Sequence, residues 1–195
     1  MREHEAVETL AAHAVELYEE NSFPHGLSRS LLGQARVELG RTAEGIALMR
    51  QGIDDAVKIG TRTGVAYLIM CLAAALLRSG AIEDALETVE QALNFNPEDT
   101  VGRPETLRIR GELRLKQGNP QVAEVDFRDS IAMARGIGAK AWELRTTVSL
   151  ARLLAKQDRR EEACARLREI YNWFTEGFDT ADLKDAKALL DELTA

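Results

Sequence analysis

The residues through which this chain could do chemistry are three histidines, two cysteines and one short glycine-rich stretch. His4-Glu5 opens like the helical zinc signature H-E-x-x-H, in which two histidines one turn apart hold the metal and the glutamate activates water. The second histidine would have to be residue 8, which is Glu8. The run GIGAK from Gly136 to Lys140 lacks the length and the Ser or Thr of a phosphate-cradling loop, and no G-x-S-x-G nucleophile turn occurs. Cys71 and Cys164 stand alone, without C-x-x-C spacing or clustered histidines. That spacing indicates neither zinc nor a redox pair, and marks both as structural thiols of a reducing compartment. His4, His13 and His25 read as surface or packing residues. The sequence therefore predicts no catalytic residue, no cofactor, no metal site and no enzyme.

What remains is an abundance of arginine, and the elements that carry it follow a period. The stretch from Ala66 to Pro97 contains two amphipathic helices. Val65, Leu68, Ile69, Leu72, Ala73 and Leu76 share one face of the first, and Ile82, Ala85, Leu86, Val89, Ala92 and Leu93 share one face of the second, by their steps of three and four residues. Gly80 can close the first helix in the left-handed conformation, and Pro97 cannot continue the second. From Gly80 the same punctuation recurs at Gly40, Gly118 and Asp158, at spacings of 40, 38 and 40 residues. Such self-similarity marks a repeat protein.

Seven residues before these turns stand Gly33, Ala73, Gly111 and Ala151; five after them stand Gly45, Ala85, Ala123 and Ala163. A third column holds Met49, Val89, Phe127 and Leu167. These columns resemble the tetratricopeptide pattern, although the period exceeds that family's standard of about 34 residues. The resemblance implies an all-α, right-handed α-solenoid of tetratricopeptide-like helical hairpins, with about ten helices and no sheet. Residues 1–22 read as the second helix of a truncated repeat, and 26–60, 62–97, 104–136 and 139–174 as hairpins. Residues 179–194 read as a capping helix with Asp179 as its N-cap, the whole forming one domain.

Several positions stand out against the pattern. Gly45 and Gly52 lie inside a helix, where each costs about 0.5–1 kcal/mol relative to alanine; tight packing is one reading and a pliable segment the other. Arg110 occupies a column otherwise held by Leu32, Leu72 and Leu150, and is expected to run along the surface with its head in solvent, loosening its repeat. Trp173, Phe174 and Phe178 flank Gly177 and read either as a plug beneath the last hairpin or as an exposed docking site. Helix 3–20 has an apolar face of Val7, Leu10, Ala11, Ala14, Val15 and Tyr18 with no upstream partner. It is expected to mediate homodimer formation.

From Glu105 onward the resemblance narrows. ETLRIRGELRL, AWELRTTVSLARLL and YNWFTEGFDTADLKDAKALLDEL look like the C-terminal repeat region of large bacterial signalling proteins, in which a class III adenylate or guanylate cyclase domain, or a DNA-binding domain, precedes an ATPase module. The likeness implies a non-catalytic regulatory scaffold in signal transduction that binds a protein or peptide, including upstream domains of the same polypeptide; a cytoplasmic location is expected from the sparse cysteines and a start, Arg-Glu-His-Glu, unlike a signal peptide. The alternative is a small-molecule inducer-sensing repeat domain of a transcription activator. A net charge of −7 and a pI near 5.1 argue against a nucleic-acid partner, and no apolar run reaches the ~18 residues of a membrane span.

In tetratricopeptide proteins the groove is lined by the first helix of each pair. Carrying that alignment over places Leu27, Ser30, Gln34 and Glu38, then Tyr67, Met70, Ala74 and Arg78, then Glu105, Arg108, Glu112 and Lys116, then Arg145, Val148, Arg152 and Lys156 along it. The groove is expected to turn basic toward its end and to hold an acidic segment near Arg108, Arg145, Arg152 and Lys156. The competing expectation is that Glu105 and Glu112 pair with Arg145 and Arg152 across the helices. The carboxylate clamp of chaperone-binding members is not matched, because its asparagines are missing.

Overall fold

The computed structural model describes residues 2–21, 26–62, 64–95, 97 and 100–194, and among them every regular element is an α-helix. These are α1 (Arg2–Glu20), α2 (Gly26–Glu38), α3 (Thr42–Lys58), α4 (Val65–Ser79), α5 (Ile82–Phe95), α6 (Arg103–Lys116), α7 (Pro120–Gly136), α8 (Lys140–Lys156), α9 (Arg160–Tyr171) and α10 (Ala181–Thr194). The expected turn over Asn21–Pro24 lies outside the described residues from 22 onward, as do His25 and the start of the polar connection at Glu98. The chain forms two compact units, Met1–Gly102 and Arg103–Ala195. Their boundary falls within that polar connection.

In the first unit α2 packs on α3 and α4 on α5, with α1 against α2 and α3 against α4. In the second, α6 packs on α7 and α8 on α9, with α7 against α8 and α10 against both α8 and α9. The hairpin turns share one backbone shape. Gly40, Gly80 and Gly118 have φ of 86°, 83° and 79°, and Asp158 follows at 60°. In each, the turn residue's N–H donates three residues back and the next N–H five back, as in Gly80 to Leu77, Ala81 to Leu76 and Arg159 to Leu154. That pair of bonds satisfies carbonyls otherwise orphaned at a helix C-terminus.

The repeat columns are the tightest places in the protein. Met49, Val89, Phe127 and Leu167 are all fully buried, as are Ala85, Ala123 and Ala163. The glycines of α2 and α3 show why small residues are needed there. A Cβ on Gly45 would stand 2.5 Å from the Gly33 carbonyl oxygen, and one on Gly52 2.4 Å from that of Gly26. The helices therefore touch backbone to backbone at two points, so of the two readings of Gly45 and Gly52 it is tight packing that the structure shows.

Arg110 corrects its expectation. Its Nε and Nη2 donate to Oδ1 of Asp126 at 3.0 and 2.8 Å, and Asp126 is 1% exposed. Arg114 approaches the other carboxylate oxygen at 3.2 Å. The arginine is drawn inward because an aspartate on α7 faces the vacant leucine position. The aromatic run also differs from a full plug. Helix α9 stops at Tyr171 rather than Phe174, and Phe174 packs partly buried against the core. Trp173 and Phe178 stay 57% and 46% exposed. Lys140 lies 5.6 Å over the Trp173 ring. At the last helix, Thr180 rather than Asp179 immediately precedes α10, and its hydroxyl donates to the Gly177 carbonyl.

Helix α1 buries Ala11 and half-buries Ala14 and Val15, with Glu8 held by Arg36 and Arg41. Val7, Leu10 and Tyr18 do not join that side; with Leu17 they form an exposed stripe, Leu10 at 72%.

Candidate interaction surface

Three helices of the second unit carry charged residues at steps of three and four, so that each presents one polar face. Glu105, Arg108 and Glu112 come from α6, Arg145, Ser149 and Arg152 from α8, and Asp182 and Asp185 from α10; together they wall a cleft of about 310 Å³. Of the residues that the sequence set along the groove, Arg108, Glu112, Arg145 and Arg152 line this cleft together. The alignment missed Asp182 and Asp185.

The pairing inside the cleft overturns the expected basic strip, and it matches the arginines to partners other than those the competing expectation named. Glu105 and Glu112 do not cross to Arg145 and Arg152. Arg108 instead binds Glu105 with both Nε and Nη2, at 2.9 and 2.7 Å, and its Nη1 stands 3.7 Å from Glu112. Burial alone would lower the Arg108 pKa, but the hydrogen bond and field of Glu105, with Glu112 and Asp182 behind, raise it above the ordinary value. Arg145 donates to Asp182 at 2.7 Å and Arg152 to Asp185 at 2.5 Å. Three arginines thus face four carboxylates, and the cleft is a mosaic rather than a basic strip. Its outer pairs are a third to half exposed, where such pairs contribute about 0–1 kcal/mol and exchange readily.

The remaining candidates lie elsewhere. Lys156 lines a second cleft of about 360 Å³ with Arg152 and Arg160, and Lys116 is exposed at the end of α6. On α4, Tyr67 is 41% exposed and Arg78 pairs with Glu38 of α2 at 2.8 Å. Met70 is buried, and so is Ser30. Neither lines a groove: a Cβ on Gly52 would meet the Ser30 hydroxyl, which shows that side chain turned toward α3.

The second helices carry a separate set of ion pairs. Arg50–Asp84, Arg128–Glu162 and Arg135–Glu169 each join residues 34 apart. Hydrogen bonds from Arg166 and Arg159, opposed by some burial and helped by Arg128, pull the Glu162 carboxyl down to about 2. Glu143, 2% exposed, accepts from Arg135 at 2.5 Å and Lys140 at 2.8 Å. Among the described residues no group of His, Cys, Asp and Glu is arranged to hold a metal ion, and no helix is long and apolar enough to cross a membrane.

Comparison with known proteins agrees with the repeat reading. The family model of the MalT-like TPR region matches residues 1–190. The solved structure of BtubC (BKLC) from P. vanneervenii superposes with a TM-score of 0.74 at 15% identity, covering 98% of this chain and 89% of that one. A thermophilic TPR protein of Thermus thermophilus gives 0.68 at 20% identity, with 96% and 91% covered. A putative kinesin light chain of Podosopora anserina with TPR-like repeats gives 0.65 at 16%, with 85% and 83% covered. At these identities the likeness shows a shared fold. No functionally curated protein matches the chain.

Proposed function

Because the chain belongs to the family of MalT-like TPR regions, we propose that it is a non-catalytic protein-interaction scaffold whose partner enters the charged cleft of the second unit. The observation that carries this reading is the cleft itself, with arginines and aspartates from α8 and α10 paired at its rim at 2.7 and 2.5 Å. Half-exposed pairs of this kind can be traded for pairs with a partner at little cost, and they supply orientation and specificity. In this reading the chain serves as the repeat portion of a larger cytoplasmic signalling protein of bacterial type, of the cyclase or regulator-ATPase kind, and the partner is a protein, a peptide or another domain of that polypeptide. Affinity capture on wild type and on Arg145→Glu/Arg152→Glu, quantified by mass spectrometry, tests it. A polypeptide held by wild type and lost from a charge-reversed variant of unchanged helicity is expected. Equal capture by both overturns the proposal.

The family match also favours a second reading, a small-molecule-sensing repeat domain. Its discriminating mark is a stacking ring, and the lining of the central cleft contains none. The exposed stripe of α1 is the proposed surface of a homodimer. Leu10→Glu should convert a concentration-dependent dimer to monomer by light scattering; a wild type monomeric at high concentration would count against it.

A further inference from the structure

We infer that the cleft between the end of α8, the start of α9 and the last turns of α10 is a docking site for an acidic segment of a partner protein that carries a leucine-sized apolar residue beside its carboxylates. This rests on the interaction-scaffold reading and gives the partner a chemistry and a place distinct from the central cleft.

Charge accounting singles the site out. The protein as a whole is at −7, and the central cleft sets four carboxylates against three arginines. Here Arg152, Lys156 and Arg160 stand against one carboxylate, Glu192. Arg152 also reaches Asp185. Arg160 donates through Nη2 to the Glu192 backbone carbonyl at 2.7 Å, which spends one N–H and leaves its charge without a carboxylate among the described residues. Lys156 is exposed and makes no hydrogen bond or ion pair to any described residue.

A cation near a helix C-terminus can serve that helix's own dipole. Arg160 fills this role for α10, and Lys156 stands in the last turn of its own helix α8, where it favours the dipole through its charge alone and keeps all its N–H groups available. Beneath the cations the wall is apolar, built from Ala155, Leu189 and Leu193, with the two leucines 5% and 9% exposed. A cationic rim around an apolar floor of about 360 Å³ fits a segment whose acids meet the rim while a neighbouring side chain fills the floor.

Fluorescence anisotropy with a labelled twelve-residue probe, alternating pairs of Asp or Glu with leucine, tests the site. One control probe replaces the acids by Asn and Gln, and a second replaces leucine by serine. Wild type is expected to bind the acidic probe about tenfold more tightly than either control, with affinity falling as salt rises. Lys156→Glu, at a side chain with no described partner, should weaken binding about tenfold, and Lys156→Ala less, while Arg145→Glu, which lines only the central cleft, should leave it within about twofold. Binding by Lys156→Glu equal to wild type overturns the inference, as does the absence of any preference for the acidic probe. A loss that follows Arg145 instead of Lys156 also overturns it, while leaving the scaffold reading intact.

Discussion

The hairpins α2/α3 and α6/α7 occupy the same place in the repeat and close it by opposite means. In α2/α3 glycine meets glycine, and a Cβ on Gly45 would lie 2.5 Å from the Gly33 carbonyl and 2.9 Å from the Val37 nitrogen. In α6/α7 the one glycine of the crossing, Gly111, faces the Phe127 ring, whose nearest atom would lie 2.5 Å from an added Cβ. Backbone sets the first crossing and a side chain the second. A ring can turn or slide by a few tenths of an ångström, whereas two helix backbones can only separate along their length. The contrast predicts unequal costs for equal substitutions. Gly45→Ala should destabilise by about 3 kcal/mol or more and Gly111→Ala by about 1–2 kcal/mol, read as denaturation midpoints. Equal losses would mean that α2 and α3 have slack the structure does not show.

The same two hairpins differ in what fills the leucine column. Leu32 is 5% exposed in α2, whereas α6 substitutes Arg110 bonded to buried Asp126. Asp126→Ala would leave Arg110 and Arg114 facing each other without their shared carboxylate. Removal of one partner from a fully buried pair costs about 3–5 kcal/mol. These arginines retain 19% and 27% side-chain exposure and can turn toward water, so a loss of about 2–3 kcal/mol is expected. Combining Asp126→Leu with Arg110→Leu restores the apolar column and should recover most of that loss, since well-packed apolar replacements of buried ions are often neutral. A double variant no better than Asp126→Ala would show that the triad contributes net stability.

Periodicity made the backbone legible and left the charges obscure. Turns, small-residue columns and helix ends follow from local rules that each repeat restates, so Gly33, Ala73, Gly111 and Ala151 could be aligned by counting. Asp126, Glu143, Asp182 and Asp185 matter through partners on other helices, and no single-helix pattern displays that. A signal was nonetheless present. Arg145–Asp182 and Arg152–Asp185 are separated by 37 and 33 residues, close to the 34 that joins Arg128 to Glu162. Opposite charges 33 to 37 residues apart, a little under one repeat, join neighbouring helices here, and a search over that range would have paired the groove arginines with Asp182 and Asp185. The aromatic run misled for a related reason. Large apolar residues imply burial only where a neighbouring element covers them, and the core of the second unit takes in part of Phe174 while Trp173 stays exposed.

The smallest effect concerns what the hairpins share. Gly40, Gly118 and Asp158 close their hairpins with the same left-handed turn and the same two N–H bonds. Only Asp158, among the described residues, adopts φ of 60° while carrying a Cβ. Left-handed backbone costs a residue with a side chain roughly 1 kcal/mol, somewhat less for aspartate, whose short polar side chain tolerates it. Asp158→Gly removes that strain but also gives the unfolded chain more conformations to lose. The Asp158 side chain makes no hydrogen bond or ion pair to a described residue that would oppose the exchange, and the turn's bonds are made by backbone N–H groups that glycine retains. The strain term should therefore prevail, raising stability by about 0.5 kcal/mol. The mirror change, Gly40→Asp, should lower it by a similar amount because a Cβ there meets nothing within 4 Å and only the backbone is strained. If Gly40→Asp were as damaging as Gly45→Ala, the hairpins would depend on their turns as much as on their crossings, and the distinction between backbone-set and side-chain-set packing would lose its force.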